Sequence, residues 1–161
     1  MIKQGERFAH LMKEHGPGLC RVAASYARHA DQDDLAQEVA LAVWNALPSF
    51  RGECSERTFA FRIAHNRGLT YLARRRVANQ ELPELVDGAP GPEARAEGRQ
   101  QVERLFAAIR TLPVPFRQVL TLALEGMSHS EVGVCLGITP ENAAVRLSRA
   151  REALRARMEE P

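Results

Sequence analysis

The chain has 161 residues, 45% of them hydrophobic and 26% charged, with a formal charge of +2. That is room for one medium or two small soluble domains, and it excludes a fibrous, disulfide-framed or strongly basic nucleic-acid-coating protein. Three cysteines (Cys20, Cys54, Cys135) in no CxxC arrangement argue against a structural zinc site, and no metal or cofactor is expected. The N-terminus MIKQGERFAH has no signal-peptide core and no apolar run approaches a membrane span, so a cytoplasmic protein without membrane insertion is expected. The charge is uneven: residues 1–80 carry 12 Lys/Arg against 8 Asp/Glu, residues 81–98 carry 1 against 5, and residues 99–161 carry 9 against 7. Two mildly basic parts flank an acidic connector.

Residues 3–30 read as helical, with an apolar cluster at Phe8, Leu11 and Met12 and another at Leu19, Val22, Ala23, Tyr26 and Ala27. Gly16-Pro17-Gly18 is expected to interrupt them, since proline and glycine are poor helix-interior residues. Asp31 to Leu47 is a strong amphipathic helix. Its early aspartates suit the positive end of the helix dipole. Leu35, Val39, Ala42, Val43 and Ala46 form its inner stripe, and Pro48 closes it. Asp34, Gln37, Glu38, Leu41 and Asn45 remain for an outer face, either merely solvated or an acidic docking surface. A loop at 50–55 leads into a basic helix from Ser55 to about Arg76. Its aromatics, with Phe50, lie among arginines: Phe50, Phe59, Phe61 and Tyr71 beside Arg57, Arg62, Arg67 and Arg74–Arg76. That mixture suits unpaired nucleic acid, where arginine meets phosphate and flat groups stack on bases. The alternative is that most of these aromatics are core, as is expected for Phe59 and Tyr71 at least.

Residues 77–98, with three prolines, three glycines and an acidic bias, break every period and read as a linker. A helix over 99–110 should turn Val102, Leu105, Phe106 and Ile109 inward, and a second over 116–125 should bury Val119, Leu120 and Ala123. Ser128 with Glu131 is a capping-box pair that opens a short helix. Gly137 ends it, Thr139 caps the next helix and Pro140 occupies its first turn. Ala143, Leu147, Ala150 and Leu154 then form an apolar stripe, beside a face carrying Asn142, Arg146 and Arg149. Helix, glycine turn and arginine-bearing helix make a helix-turn-helix, whose second helix enters the DNA major groove. The fold expected is all-α: two small helical domains (1–76 and 99–161) joined by a flexible linker (77–98), the second ending in the helix-turn-helix.

Two signatures in order resemble one family, the extracytoplasmic-function (ECF) sigma factors of bacterial RNA polymerase. The first is Asp31, Asp34, Leu35, Gln37, Glu38 and Trp44, followed by Phe50-Arg51-Gly52-Glu53, Thr58, Arg62-Ile63-Ala64 and Asn66. The second is Leu112-Pro113, Arg117, Gly126, Ser128, Glu131-Val132, Leu136-Gly137-Ile138 and the RLSRAR run from Arg146 to Arg151. The resemblance implies a non-enzymatic initiation factor that binds core polymerase, directs it to promoters and opens the −10 region. Asp34, Gln37, Glu38, Leu41 and Asn45 would dock on the clamp helices of the largest subunit, and the second domain on the flap of the second-largest. Phe50, Arg51, Arg57, Arg62 and Asn66 would capture −10 DNA. Thr139, Glu141, Asn142, Arg146, Ser148 and Arg149 would read the −35 duplex. An anti-sigma factor is the further partner implied. This chain departs from the family pattern at Ala144 and Val145, where a basic residue and serine are usual, at Glu56, where an apolar residue is usual and a carboxylate facing DNA would repel phosphate, and at Phe59, where tryptophan is usual. The alternative is a stand-alone helix-turn-helix regulator, which requires a ligand pocket in residues 1–76. A metal enzyme is disfavoured because His10, His15, His29, His65 and His129 show no HxxxH spacing.

Overall fold

A computed structural model describes residues 3–81 and 97–159. Among them every regular element is helical: α1 (Gln4–Ala24), α2 (Ala30–Ala46) with a 3₁₀ turn at Leu47–Ser49, α3 (Glu56–Glu81), α4 (Glu97–Arg110), α5 (Val114–Leu124), α6 (His129–Leu136) and α7 (Pro140–Glu159). α1, α2 and α3 pack on one another around Leu11, Leu19, Val22, Leu35, Val39, Val43 and Phe61; α4, α5 and α6 gather around the stripe of α7. The all-α expectation holds. Of the stretch 77–98, expected to be a linker, residues 77–81 belong to α3 and 97–98 to α4; the remainder lies outside the described residues.

The first helix corrects the expected break. α1 is continuous, with Pro17 inside it and exposed. Proline forfeits one backbone hydrogen bond there, but the flanking glycines are buried, and Gly18 shows what they do. A Cβ on Gly18 would lie 2.8 Å from the Phe61 ring and 2.7 Å from the Glu125 carboxylate. The side-chain-free stretch lets α1 seat against α3 and against the end of α5, so packing overrides local propensity.

The two helical groups meet, and polar side chains join them. Arg21 grips Glu125 through two bonds of 2.5 and 2.8 Å. Arg110 donates to the carbonyl of Ala24, the last residue of α1, at 2.8 Å. Arg62 donates to the carbonyl of Val134 at 2.7 Å and, more weakly, to that of Cys135 at 3.4 Å, in the last turn of α6. Arg110 and Arg62 thus each seat on the C-terminus of a helix from the other group, where unpaired carbonyls and the dipole favour a cation. Further in, the His65 ring bridges Tyr26 and Thr121: Tyr26 Oη lies 2.8 Å from Nδ1, and Thr121 Oγ1 3.2 Å from Nε2. Thr121 also donates to the Arg117 carbonyl at 2.9 Å. A neutral ring protonated on Nε2 therefore satisfies all three groups. Burial pushes His65 down to about 3.

Candidate nucleic-acid interface

The helix-turn-helix forms as its sequence dictates. Ser128 Oγ accepts the Glu131 amide at 3.1 Å, and Gly137 ends α6 in the left-handed region at φ 72°. Thr139 Oγ1 accepts the Asn142 amide at 3.0 Å and opens α7. Ala143, Leu147 and Ala150 are buried and Leu154 is partly so. The residues expected to read a duplex are clear of that stripe. Thr139, Glu141, Asn142, Ser148 and Arg149 are exposed, while Arg146 is half-buried at the edge of the face. The outward side of α7 is open to a groove-sized partner.

The N-terminal set is arranged differently. Arg51 and Asn66 are exposed. Phe50 is half-buried, tilted on Phe59 with centroids 4.6 Å apart, and the Arg7 guanidinium lies 5.3 Å above its ring. Arg57 and Arg62, however, reach into the second domain. Arg57 pairs with Glu131 of the helix-turn-helix, and that cation holds the Glu131 carboxyl below its ordinary range. Arg62 occupies the α6 terminus. Arg57 and Asn66, nine residues apart on α3, lie on opposite sides of that helix, and two of the three arginines are engaged with α6.

Other expectations are corrected here. Phe61, grouped with the aromatics suited to stacking, is 1% exposed and belongs to the core. Phe59 and Tyr71 pack against the core as expected, though each stays partly exposed, and Tyr71 donates to Asp31 at 2.7 Å. Val102 is 54% exposed rather than inward. Glu56 does not confront DNA as a free charge, since Arg7 binds it at 2.6 Å. Burial raises the Cys135 thiol to about 12, and all three cysteines are free.

On α2, Asp34, Gln37, Leu41 and Asn45 form the exposed outer face, with Leu41 61% exposed. Glu38 is half-buried and held by Arg74 at 2.7 Å. Beside them an open groove of about 340 Å³ is lined by Asp31, Asp34, Glu38, Tyr71, Arg74 and Arg75. It is open and crossed by the Arg74–Glu38 and Arg75–Asp31 ion pairs, unlike the apolar enclosure that a small-molecule sensor requires. No group of three or more His, Cys, Asp or Glu side chains is placed to hold a metal among the described residues, and none of their helices is long and apolar enough to cross a membrane.

Nothing in the sequence marked Thr121, Val134 or Cys135 as partners of α3. Glu131 read as a capping residue and a signature position, and its pairing with Arg57, 74 positions away in the chain, leaves no periodic trace.

These two helical groups coincide with two family matches. Residues 11–77 match Sigma-70 region 2 and residues 103–154 match Sigma-70, region 4. The RNA polymerase sigma factor CnrH of Cupriavidus metallidurans is 32% identical, with 92% of this chain and 85% of that one covered. The ECF RNA polymerase sigma-E factor of Escherichia coli K12 is 25% identical, with 95% and 88% covered. Among solved structures, CnrH in complex with the cytosolic domain of CnrY superposes with a TM-score of 0.68 at 27% identity, covering 94% of this chain and 87% of that one. With both sigma regions in order and a relative matched along nearly its whole length, the chain belongs to the sigma factors of RNA polymerase, in their extracytoplasmic-function group.

Proposed function

We propose that this sigma factor docks on the clamp helices of core RNA polymerase through Asp34, Gln37, Glu38, Leu41 and Asn45 and on the flap through its C-terminal domain. It reads −10 DNA with Phe50, Arg51, Arg57, Arg62 and Asn66, and −35 DNA with the outward face of α7. The observation that supports the reading is a helix-turn-helix with an exposed polar face on the same chain as an arginine-bearing helix whose Asn66 is exposed. Arginines hold phosphates while asparagine can pair with a base edge. Residues 1–76 and 99–161 act as the two functional domains, and the acidic connector joins them.

The free protein is a closed form. Arg57 and Arg62 cannot hold phosphates while they hold α6, so melting waits until polymerase draws the domains apart. An anti-sigma partner fits the same logic: the related CnrH was solved with the cytosolic domain of CnrY, and a partner that grips both domains would keep the −10 set covered. The test is run-off transcription by bacterial core polymerase on a genomic library. New, factor-dependent start sites are expected. A protein that neither binds core nor redirects starts would defeat the proposal, and tight duplex binding without polymerase would favour the stand-alone regulator.

A further inference from the structure

We infer that Val145 determines promoter specificity by taking the 5-methyl group of a thymine in the −35 duplex, an inference that rests on the proposed reading of that element by α7. The buried residues of α7 are Ala143, Leu147 and Ala150. Turning 100° per residue, the direction opposite their centre falls close to position 145. Val145 therefore stands at the middle of the outward face, 50% exposed, with Glu141, Asn142, Ser148 and Arg149 exposed around it. It lies in the second turn of the helix, in the N-terminal part that reaches base edges in a helix-turn-helix complex.

The residue type is informative because the fold does not ask for it. Valine is a weaker helix former than the alanine, arginine and glutamate that fill much of α7, and Val145 lies outside the apolar core. Its neighbours on the outward face are all polar. A branched apolar side chain pressed against a base edge leaves any donor or acceptor there unpaired, which disfavours cytosine, guanine and adenine at close range. The apolar feature that the major groove offers is the thymine methyl. Ala144 beside it is small and half-buried, so no bulky neighbour blocks the approach. The departure from the usual basic-and-serine pair thus exchanges hydrogen-bonding contacts for an apolar one flanked by Asn142 and Arg149.

The test uses holoenzyme and a promoter recovered by selection with it. Each thymine of the −35 element is replaced in turn by deoxyuridine, which removes the methyl alone, and open-complex formation is measured. Burial of one methyl corresponds to about a fourfold effect. The wild type is expected to lose about that much at one thymine position. Val145→Ala, which keeps the helix, is expected to lose the sensitivity there while remaining dependent on the −35 element. Wild-type initiation that depends on the −35 element but ignores every thymine methyl would overturn the inference, as would V145A retaining full sensitivity at the same base. Initiation indifferent to the entire −35 element would overturn the reading of α7 itself.

Discussion

The two helices proposed to meet DNA carry the same chemistry and are in different states. α3 offers Arg57, Arg62 and Asn66; α7 offers Asn142, Arg146 and Arg149. On α7 the polar groups face outward over a buried alanine-leucine stripe. On α3 two of the three point into the neighbouring domain, one to the Glu131 carboxylate and one to the carbonyl end of α6. A row of arginines therefore says where positive charge is, but not what it is already holding. On α7 the side chains proposed to read DNA have no partner in α3, whereas on α3 two of them are held by α6.

Removing a free contact should hurt most. Arg149→Ala is expected to lower −35-dependent initiation by about 10- to 100-fold, the range of a lost bidentate base contact, with core binding unchanged in a competition assay. If initiation persists on promoters with an intact −35 element, the outward face of α7 is not the reader.

Acid should separate the two states next. Closed, His65 holds its pKa near 3 because burial excludes the proton, and it faces the Tyr26 and Thr121 hydroxyls without a counter-charge. A form that exposes the ring regains the ordinary value near 6.5. The closed form is therefore unaffected above pH 6.5 and is disfavoured progressively as pH falls toward 3, by at most about tenfold per unit. Labels on the two domains should move apart over that range. His65→Gln, which cannot take up the proton, should flatten the response.

Arg62→Ala should act in both directions. It should loosen the closed form of the free protein severalfold and yet reduce promoter melting in the holoenzyme, read by permanganate reactivity of the −10 thymines. Faster melting would place Arg62 in the interdomain contact alone. The smallest change is expected from Glu131→Gln. The Arg57–Glu131 pair is partly exposed, at 30% and 40%, and such pairs contribute up to about 1 kcal/mol, or roughly fivefold in the open population. A larger opening would mean that the pair acts together with the His65 cluster rather than alone.

Much of this arrangement was legible beforehand. The stripe of α2, the caps at Ser128 and Thr139 and the turn at Gly137 all follow from local rules, and all lie where spacing put them. The failures share one cause, which is contact between distant segments. Gly16-Pro17-Gly18 looks like a break because local propensity cannot register Phe61 and Glu125 pressing against the backbone. Phe61 shares one broad face of α3 with Thr58, Ala60, Ala64, His65 and Gly68, all buried beneath helices of both domains. Small and polar residues fill most of that face, so hydrophobic periodicity does not report its burial.

The seating of Arg62 and Arg110 on C-terminal helix ends has one more consequence, in the response to ionic strength. The domains are held in part by Arg21 with Glu125, Arg57 with Glu131 and two cations on helix termini. Added salt weakens such contacts where they reach solvent, and so promotes opening. The same salt weakens every phosphate contact the opened protein makes. Initiation should consequently rise and then fall as salt is added, with its optimum displaced to lower salt once Arg57 has lost its Glu131 partner.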